Sequence, residues 1–320
     1  MIESERESLT LRPTCCAICG PDAPAQELYP PAFDETSFNR RVFSARRLPD
    51  RLHYRMVRCR SCGLVRSDPV ADEATLSRLY ERSGFDYASE IPHLRRTYGR
   101  YLSLAARRAS RPPRRILEVG CGNGFLLEEA LAQGFQTACG VEPSRDARAL
   151  ADSSIRECIV PDVMRPGLFA PGQFDLICMF QVFDHLPEPG AILDECLRVL
   201  AEGGILLCLH HNVRALSARL LGERSPIIDI EHCYLYTPHT MRLLLRKHGF
   251  ETLEIGTALN RVSLRHLVHL LPLPAAIKSP LRDAAAREPV ARLSMRLPLG
   301  NLYAVARRPA ADLGSGHDTR

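Results

Sequence analysis

The run Arg115-Ile116-Leu117-Glu118-Val119-Gly120-Cys121-Gly122-Asn123-Gly124 constrains this chain more than any other stretch. An apolar segment ends in an acid and then in three alternating glycines. A helix-like segment, Phe125 to Ala132, follows at once. A buried strand, a tight turn and a helix N-terminus in that order make a cradle for a nucleotide-like ligand. Glycine lets the backbone take positive φ and come close to such a ligand. The dinucleotide-binding spacing Gly-x-Gly-x-x-Gly does not fit, because from Gly120 it needs a glycine where this chain has Phe125.

The following residues predict alternating strands and helices. Gln136 to Val141 reads as a second strand ending at Glu142, where an acid can accept from both hydroxyls of a ribose. Arg156 to Val160 reads as a third strand, followed by Asp162. Phe174 to Phe180 is a continuous apolar run, the mark of a central parallel strand. A helix then passes through Leu193 and Leu197 and stops at Leu200 to Gly204, and Ile205 to Leu209 is a fifth strand. Thr237 is an N-cap with Pro238 at the first position of a helix that runs to His248 and stops at Gly249. Glu251 to Ile255 and Asn301 to Arg307 are the last strands, with a lid-like insertion, 258–300, between them. In it Leu264, Leu267, Val268 and Leu271 form an apolar stripe, with Arg261, Arg265 and His269 elsewhere on the helix. Packing on the core or a lid is the favoured reading. A weak membrane-surface contact through 261–271 is the alternative.

The acid-x-Gly-x-Gly-x-Gly loop, with the order and spacing of these elements, resembles the class I S-adenosylmethionine-dependent methyltransferases over residues 111–308. The resemblance implies an α/β, Rossmann-like core, a mostly parallel seven-stranded sheet whose last strand is antiparallel. It implies S-adenosylmethionine as methyl donor. Gly120, Gly122 and Gly124 would line its methionine and ribose side, and Glu118 would hold the loop or the donor's amino group. Glu142 would take the ribose hydroxyls, and Asp162 would meet the adenine amino group.

Two Cys-x-x-Cys-Gly knuckles, Cys16 to Gly20 and Cys59 to Gly63, stand near the N-terminus. In a reducing compartment such a pair reads as a tetrahedral, structural Zn2+ site of Cys16, Cys19, Cys59 and Cys62, with no open position for catalysis. Cys15 competes with Cys16 for its place. Phe33, Phe38 and Phe43 pack the loop between the knuckles. The run Tyr54 to Val65, then Asp68-Pro69 and Leu79-Tyr80, resembles the N-terminal zinc module of a bacterial methyltransferase group that acts on sugars, glycans and other small metabolites. Unlike the sugar C-methyltransferases of that group, this chain is expected to carry no further large domain after the core.

The expected layout is a disordered tail 1–14, a zinc-ribbon-like module 15–70, a helical connector 71–110, the methyltransferase domain 111–308 and a disordered tail 309–320. Leu76, Leu79 and Tyr80 share one face of the connector, and Tyr98, Tyr101, Leu102 and Leu104 another. No apolar run is long enough to span a membrane and the N-terminus is polar, so a cytoplasmic protein is expected. The net charge of +5 rests almost wholly on arginine. The basic run Arg107, Arg108, Arg111, Arg114 and Arg115 reads as a solvated helix end and linker.

A sulfonium donor already carries an electrophilic methyl, so the protein must align a nucleophile and exclude water. A hydroxyl acceptor also needs a base. His185, after the fourth strand at the carboxyl edge of the sheet, is the first candidate. His232 is the second, in a loop that the family places near the acceptor, while His210 and His211 are weaker candidates, because a residue at a strand end often simply packs. The reading is a methyltransferase for a small metabolite, sugar or glycan precursor, with an oxygen, carbon or nitrogen nucleophile. The alternatives are an RNA methyltransferase whose zinc module grips nucleic acid, and a non-catalytic binding protein that keeps the fold.

Overall fold

The computed structural model of the protein describes residues 9–34, 36, 38–39, 42–43, 50–84, 90–264, 267–268, 275–285, 287 and 293–310. Five short strands come first: β1 (Leu11–Arg12), β2 (Ala25–Tyr29), β3 (Met56–Cys59), β4 (Val65–Ser67) and β5 (Val70–Ala71). Helices α1 (Glu73–Glu81) and α2 (Ile91–Ala106) follow. Next are β6 (Arg115–Val119), α3 (Phe125–Ala132), β7 (Thr137–Val141), α4 (Arg145–Ala149), β8 (Ile159–Val160) and β9 (Phe174–Phe180). Then come α5 (Pro189–Val199), β10 (Leu200–His211), α6 (Leu216–Leu221), β11 (Tyr234–Leu235) and α7 (Pro238–Lys247). The chain closes with β12 (Glu251–Ser263), α8 (Ala275–Ala285) and β13 (Ser294–Arg307).

The apolar runs predicted as strands form the middle of a seven-stranded sheet, ordered β8-β7-β6-β9-β10-β13-β12. Strands β6 to β10 are parallel, and β13 is antiparallel to both its neighbours. In β9, Leu176 to Phe180 are all buried, as a strand covered on both faces requires. Helix α7 begins as its sequence dictates. The Thr237 side chain accepts from the Thr240 amide, Thr240 closes the reciprocal bond, and Pro238 occupies the first turn. Its Met241, Leu244 and Leu245 are buried on one face.

The Cys-rich segment forms a four-stranded sheet, β11-β4-β3-β2. Its β11 comes from the methyltransferase region, more than 160 residues beyond β4 in the sequence, with Tyr234 opposite Arg66 and Leu235 opposite Val65. One apolar cluster contains Phe43, Tyr54, Cys59 and Leu64 together with Leu117, Phe183, Cys208 and Tyr236. The module and the larger sheet therefore share a core. Phe33 and Phe38 pack on Tyr54 with ring centroids 5.4 and 5.9 Å away, as the loop composition predicted.

Four expectations need correction. Arg156 to Cys158 is a 3-10 turn, and the third strand is only Ile159–Val160, because just these two residues find partners on β7. The stop at Leu200 to Gly204 lies inside β10, which carries a bulge between Leu200 and Ile205. Both ends of the supposed insertion are strand: β12 and β13 pair as far as Ser263 opposite Ser294. Arg261 sits in that ladder, not on a helix, with its amide bonded to Thr97 Oγ1. Leu271, Arg265 and His269 lie outside the described residues. Finally, residues 9–14 are ordered, because β1 pairs with β5 and the Thr14 amide and hydroxyl bond Asp68 Oδ1 and Ser67 O. The remainder of the two expected tails, 1–8 and 311–320, also lies outside the described residues. The connector helices exist as read, and α2 packs on α3, β9, β10 and β12.

The basic run is held in the fold. Arg108 pairs with Glu254, and Arg111 and Arg115 pair with Asp175. Asp175 fastens the start of β6 to β9, since Oδ2 accepts the amides of Arg114 and Arg115, both at 3.0 Å. Burial raises the pKa of this carboxyl, but the Arg115 guanidinium and the two amides outweigh burial and hold it below the usual value. A depressed carboxyl stabilises the fold above its unfolded pKa of about 3.9 and loses that contribution as pH falls through the folded value. Asp175→Asn is expected to melt below the wild type at neutral pH. The two melting temperatures should converge below about pH 3.

Candidate active site

The glycine loop leaves β6 at its carboxyl end and enters α3. Gly120 has φ +71°, and a Cβ there would stand 2.4 Å from Val182 Cγ2. Gly124, the N-cap of α3, has φ +76°, and its Cβ would stand 2.2 Å from Ile155 Cδ1. Only glycine fits either position. Glu142, at the tip of β7, clamps this loop. Oε2 accepts the Gly122 amide at 2.8 Å, and Oε1 accepts the Ser144 amide at 2.8 Å, at the entry to α4. Burial pushes the Glu142 carboxyl upward, and these two amides pull the other way. Glu118 is buried at the end of β6. Burial and then the charge of Glu142 push its carboxyl well above the usual range.

Glu118 Oε2, Asn123 Oδ1 and Gln181 Oε1 are shielded from solvent and have no hydrogen-bond partner among the described residues. Gln181, just past β9, also takes a left-handed φ of 58°. A non-glycine residue there is strained, and strain of this kind gathers at functional sites. Orphaned polar atoms around a glycine cradle fit a polar ligand that supplies the missing partners. The structure thus brings Glu118, Gly122 and Glu142 together. Asp162 stands apart, past β8, with Oδ2 taken by Arg165 and Oδ1 by the Val163 amide. The Arg165 pairing holds its pKa low.

At the carboxyl edge of β9 and β10, Asp184 collects three histidines. It is wholly buried in the 3-10 turn Phe183–His185. Its Oδ2 accepts the His211 amide at 3.1 Å and His211 Nδ1 at 2.6 Å. His232 Nε2 is 3.8 Å from Oδ2, and His185 Nε2 is 3.7 Å from Oδ1. Burial raises the Asp184 pKa, but the three imidazoles more than reverse this and keep it ionised. His185 and His232, the two predicted bases, lie with ring centroids 5.0 Å apart. Their exposure differs: the His185 side chain is 21% exposed, and that of His232 only 6%. Tyr80 Oη lies 3.3 Å from His185 Nδ1. His210 is buried, and burial lowers its pKa to about 4.

Sequence reasoning missed Asp184 and ranked His211 as a weaker candidate. The signal was the placement of Asp184-His185 just past β9 and of His210-His211 at the end of the adjacent β10, where a parallel sheet puts ligands.

In the N-terminal module the thiol sulfurs of Cys16, Cys19, Cys59 and Cys62 all lie within 4.8 Å of one another. Cys16, not Cys15, has the place; Cys15 contributes its carbonyl, which accepts from Tyr234 Oη. Burial acts to raise the Cys59 pKa, but the amides of Cys62 and Ser61 outweigh it and lower the thiol to about 6. The module is wired to the histidine cluster. Ser67 Oγ donates to His232 O, the Ser67 amide donates to Cys233 O, and the Cys233 amide donates to Asp184 O.

The family model described as Methyltransferase domain matches residues 92–255, half of the chain. The fold and the site define a class I S-adenosylmethionine-dependent methyltransferase core. The chain belongs to the methyltransferase-domain family. It is 32% identical to a ubiquinone biosynthesis O-methyltransferase of Methylococcus capsulatus over 127 residues, covering 38% of this chain and 50% of that protein. It is 25% identical to the protein of the same name from Thiobacillus denitrificans over 199 residues, covering 58% of this chain and 85% of that one. For several such curated relatives the chain spans half of their length or less. A solved S-adenosylmethionine-dependent methyltransferase from Archaeoglobus fulgidus is 16% identical, with a TM-score of 0.47 over 74% of this chain and all of that one.

The loop geometry makes a direct prediction. Gly124→Ala must hold a left-handed alanine and displace Ile155. It is expected to lower unfolding free energy by roughly 1–2 kcal/mol or more in denaturant melts.

Proposed function

We propose that the protein transfers a methyl group from S-adenosylmethionine to a hydroxyl of a small metabolite, sugar or glycan precursor. The observation that carries this reading is the glycine-only loop clamped by Glu142, with the unpartnered Glu118, Asn123 and Gln181 oxygens around it. S-adenosylmethionine, when bound, supplies an electrophilic methyl on sulfur. Glu142 has one amide on each oxygen, so a further lone pair on each is available to a ribose hydroxyl. Glu118 is proposed for the donor's methionine end, which would supply its unpartnered Oε2 with a hydrogen bond. Asp162 is proposed for the adenine edge, with Arg165 giving up part of its hold.

At the acceptor end we assign His185 as the base. It is the more exposed of the two predicted histidines, and Tyr80 orients it. The acceptor O–H proton passes to His185 while its oxygen displaces the donor sulfur from the methyl carbon. The carbon–sulfur bond breaks, the carbon–oxygen bond forms, and S-adenosylhomocysteine leaves. His232 is proposed as a positioning residue in the same cluster.

Cys16, Cys19, Cys59 and Cys62, with their sulfurs within 4.8 Å of one another, fit Zn2+ in a four-thiolate structural site. All twelve cysteines are unpaired, which suits a reducing cytoplasm. Among the described residues no helix is long and apolar enough to cross a membrane. An RNA acceptor has less support. The groove lined by Arg95, Arg96, Arg100, Arg261 and Arg296, with a volume of about 300 Å3, has no aromatic ring in its lining on which a base would stack.

Calorimetric titration with S-adenosylmethionine tests the donor site. Glu142→Ala is expected to weaken binding about tenfold or more, the worth of about 1.5 kcal/mol. Unchanged affinity sinks the assignment. Metal analysis of the purified protein is expected to find one zinc per chain, lost in Cys59→Ser together with a fall in melting temperature.

A further inference from the structure

We propose that Asp184, His211 and His232 bind a divalent transition-metal cation at the acceptor end of the site, separate from the four-cysteine cluster. The donor atoms of these three residues lie within 4.8 Å of one another.

The hydrogen bonds of His232 fix its tautomer. Nδ1 lies 2.8 Å from the Ile227 carbonyl, which can only accept, so Nδ1 carries the proton and Nε2 presents its lone pair. That lone pair faces Asp184 Oδ2 across 3.8 Å. Oδ2 also accepts the His211 amide and Nδ1, and a cation held by Nε2 and Oδ2 would bridge these two electron-rich atoms. A backbone carbonyl on one imidazole nitrogen is also how metal-binding histidines are held, with the other nitrogen free to ligate.

The carboxylate supplies an independent sign. Asp184 is 0% exposed, and its Oδ1 has no hydrogen-bond partner among the described residues. His185 Nε2 stands 3.7 Å from this oxygen, beyond hydrogen-bond reach, and a buried carboxylate is stabilised when a charge completes it. His211 supplies the third donor, with Nδ1 2.6 Å from Oδ2. Bonds of about 2.1 Å put two ligand atoms about 3 Å apart at right angles and about 3.4 Å apart in a tetrahedron. The His232 distance fits this range with small adjustment. The His211 distance, now that of a hydrogen bond, would open by about 0.4 to 0.8 Å to reach this range, with the imidazole in the tautomer that carries its proton on Nε2.

Two imidazoles and one carboxylate suit Zn2+, Fe2+, Co2+, Ni2+ or Mn2+ and leave open positions. The cluster opens to solvent where the His185 and His211 side chains are 21% and 25% exposed. This extends the acceptor reading given above. A hydroxyl on an open position is polarised by the cation and gives up its proton to His185 more readily. No redox change is involved.

The test uses the full chain already loaded with zinc at the cysteines, titrated with Mn2+ and followed by loss of the free Mn2+ paramagnetic resonance signal. One saturable Mn2+ per chain is expected, accompanied by a rise in melting temperature. His211→Gln is expected to weaken it at least tenfold, and His232→Gln or Asp184→Asn serves where that variant folds poorly. Titration of the same samples with Co2+ should give weak absorption without sulfur charge-transfer bands. Absence of a saturable site with both Mn2+ and Co2+, or binding unaltered in every folded variant, overturns the proposal. Neither result depends on S-adenosylmethionine, so failure here is distinct from failure of the donor site.

Discussion

The backbone of residues 232–235 is bonded in two directions at once, and the layout of the site depends on it. Toward the N-terminal module, His232 O and Cys233 O accept from Ser67, while Tyr234 and Leu235 extend its sheet. Toward the large sheet, the Cys233 amide donates to Asp184 O. A segment this short has no fold of its own, so its geometry is imposed from both sides. The module therefore forms part of the wall that fixes His232 over Asp184. Tyr80, from the helix after the module, completes that wall at His185.

The histidine cluster illustrates how a parallel sheet builds a site from remote residues. Asp184 follows β9 and His211 ends β10, and the adjacency of the two strands sets them side by side. His232 arrives from a loop whose course is set by the module. Nothing in the local sequence around any one of the three reveals the other two. The donor loop is the opposite case, since its constraint is local. The positive φ of Gly120 and Gly124 is written into the spacing of the glycines themselves.

That contrast decides what was legible beforehand. Strand β9 and helices α3 and α7 matched their apolar runs and caps closely, because length, periodicity and a Thr-Pro start are short-range signals. The four cysteines were legible for the same reason, although only the fold chose Cys16 over Cys15. Strand β8 was overread, because a two-residue edge strand depends on its partner more than on its own sequence. The outer half of the β12–β13 ladder was missed although Met295, Leu297 and Leu299 alternate with Ser294, Arg296 and Pro298 at the period of a strand; the proline in that run argues against a strand when only the sequence is read. Glu142 was found by position. Its clamp on Gly122, however, needed coordinates, since it joins residues on two different loops.

The contact between Gly120 and Val182 has a further consequence. The valine methyl occupies the space that any side chain at 120 would need, so the turn that presents Asp184 leans on the loop that cradles the donor. Under the proposed function the two loops differ in what they recognise, one the methyl donor and the other the acceptor. Drift at position 182 toward a bulkier residue would press on the donor loop, and drift toward a smaller one would loosen it.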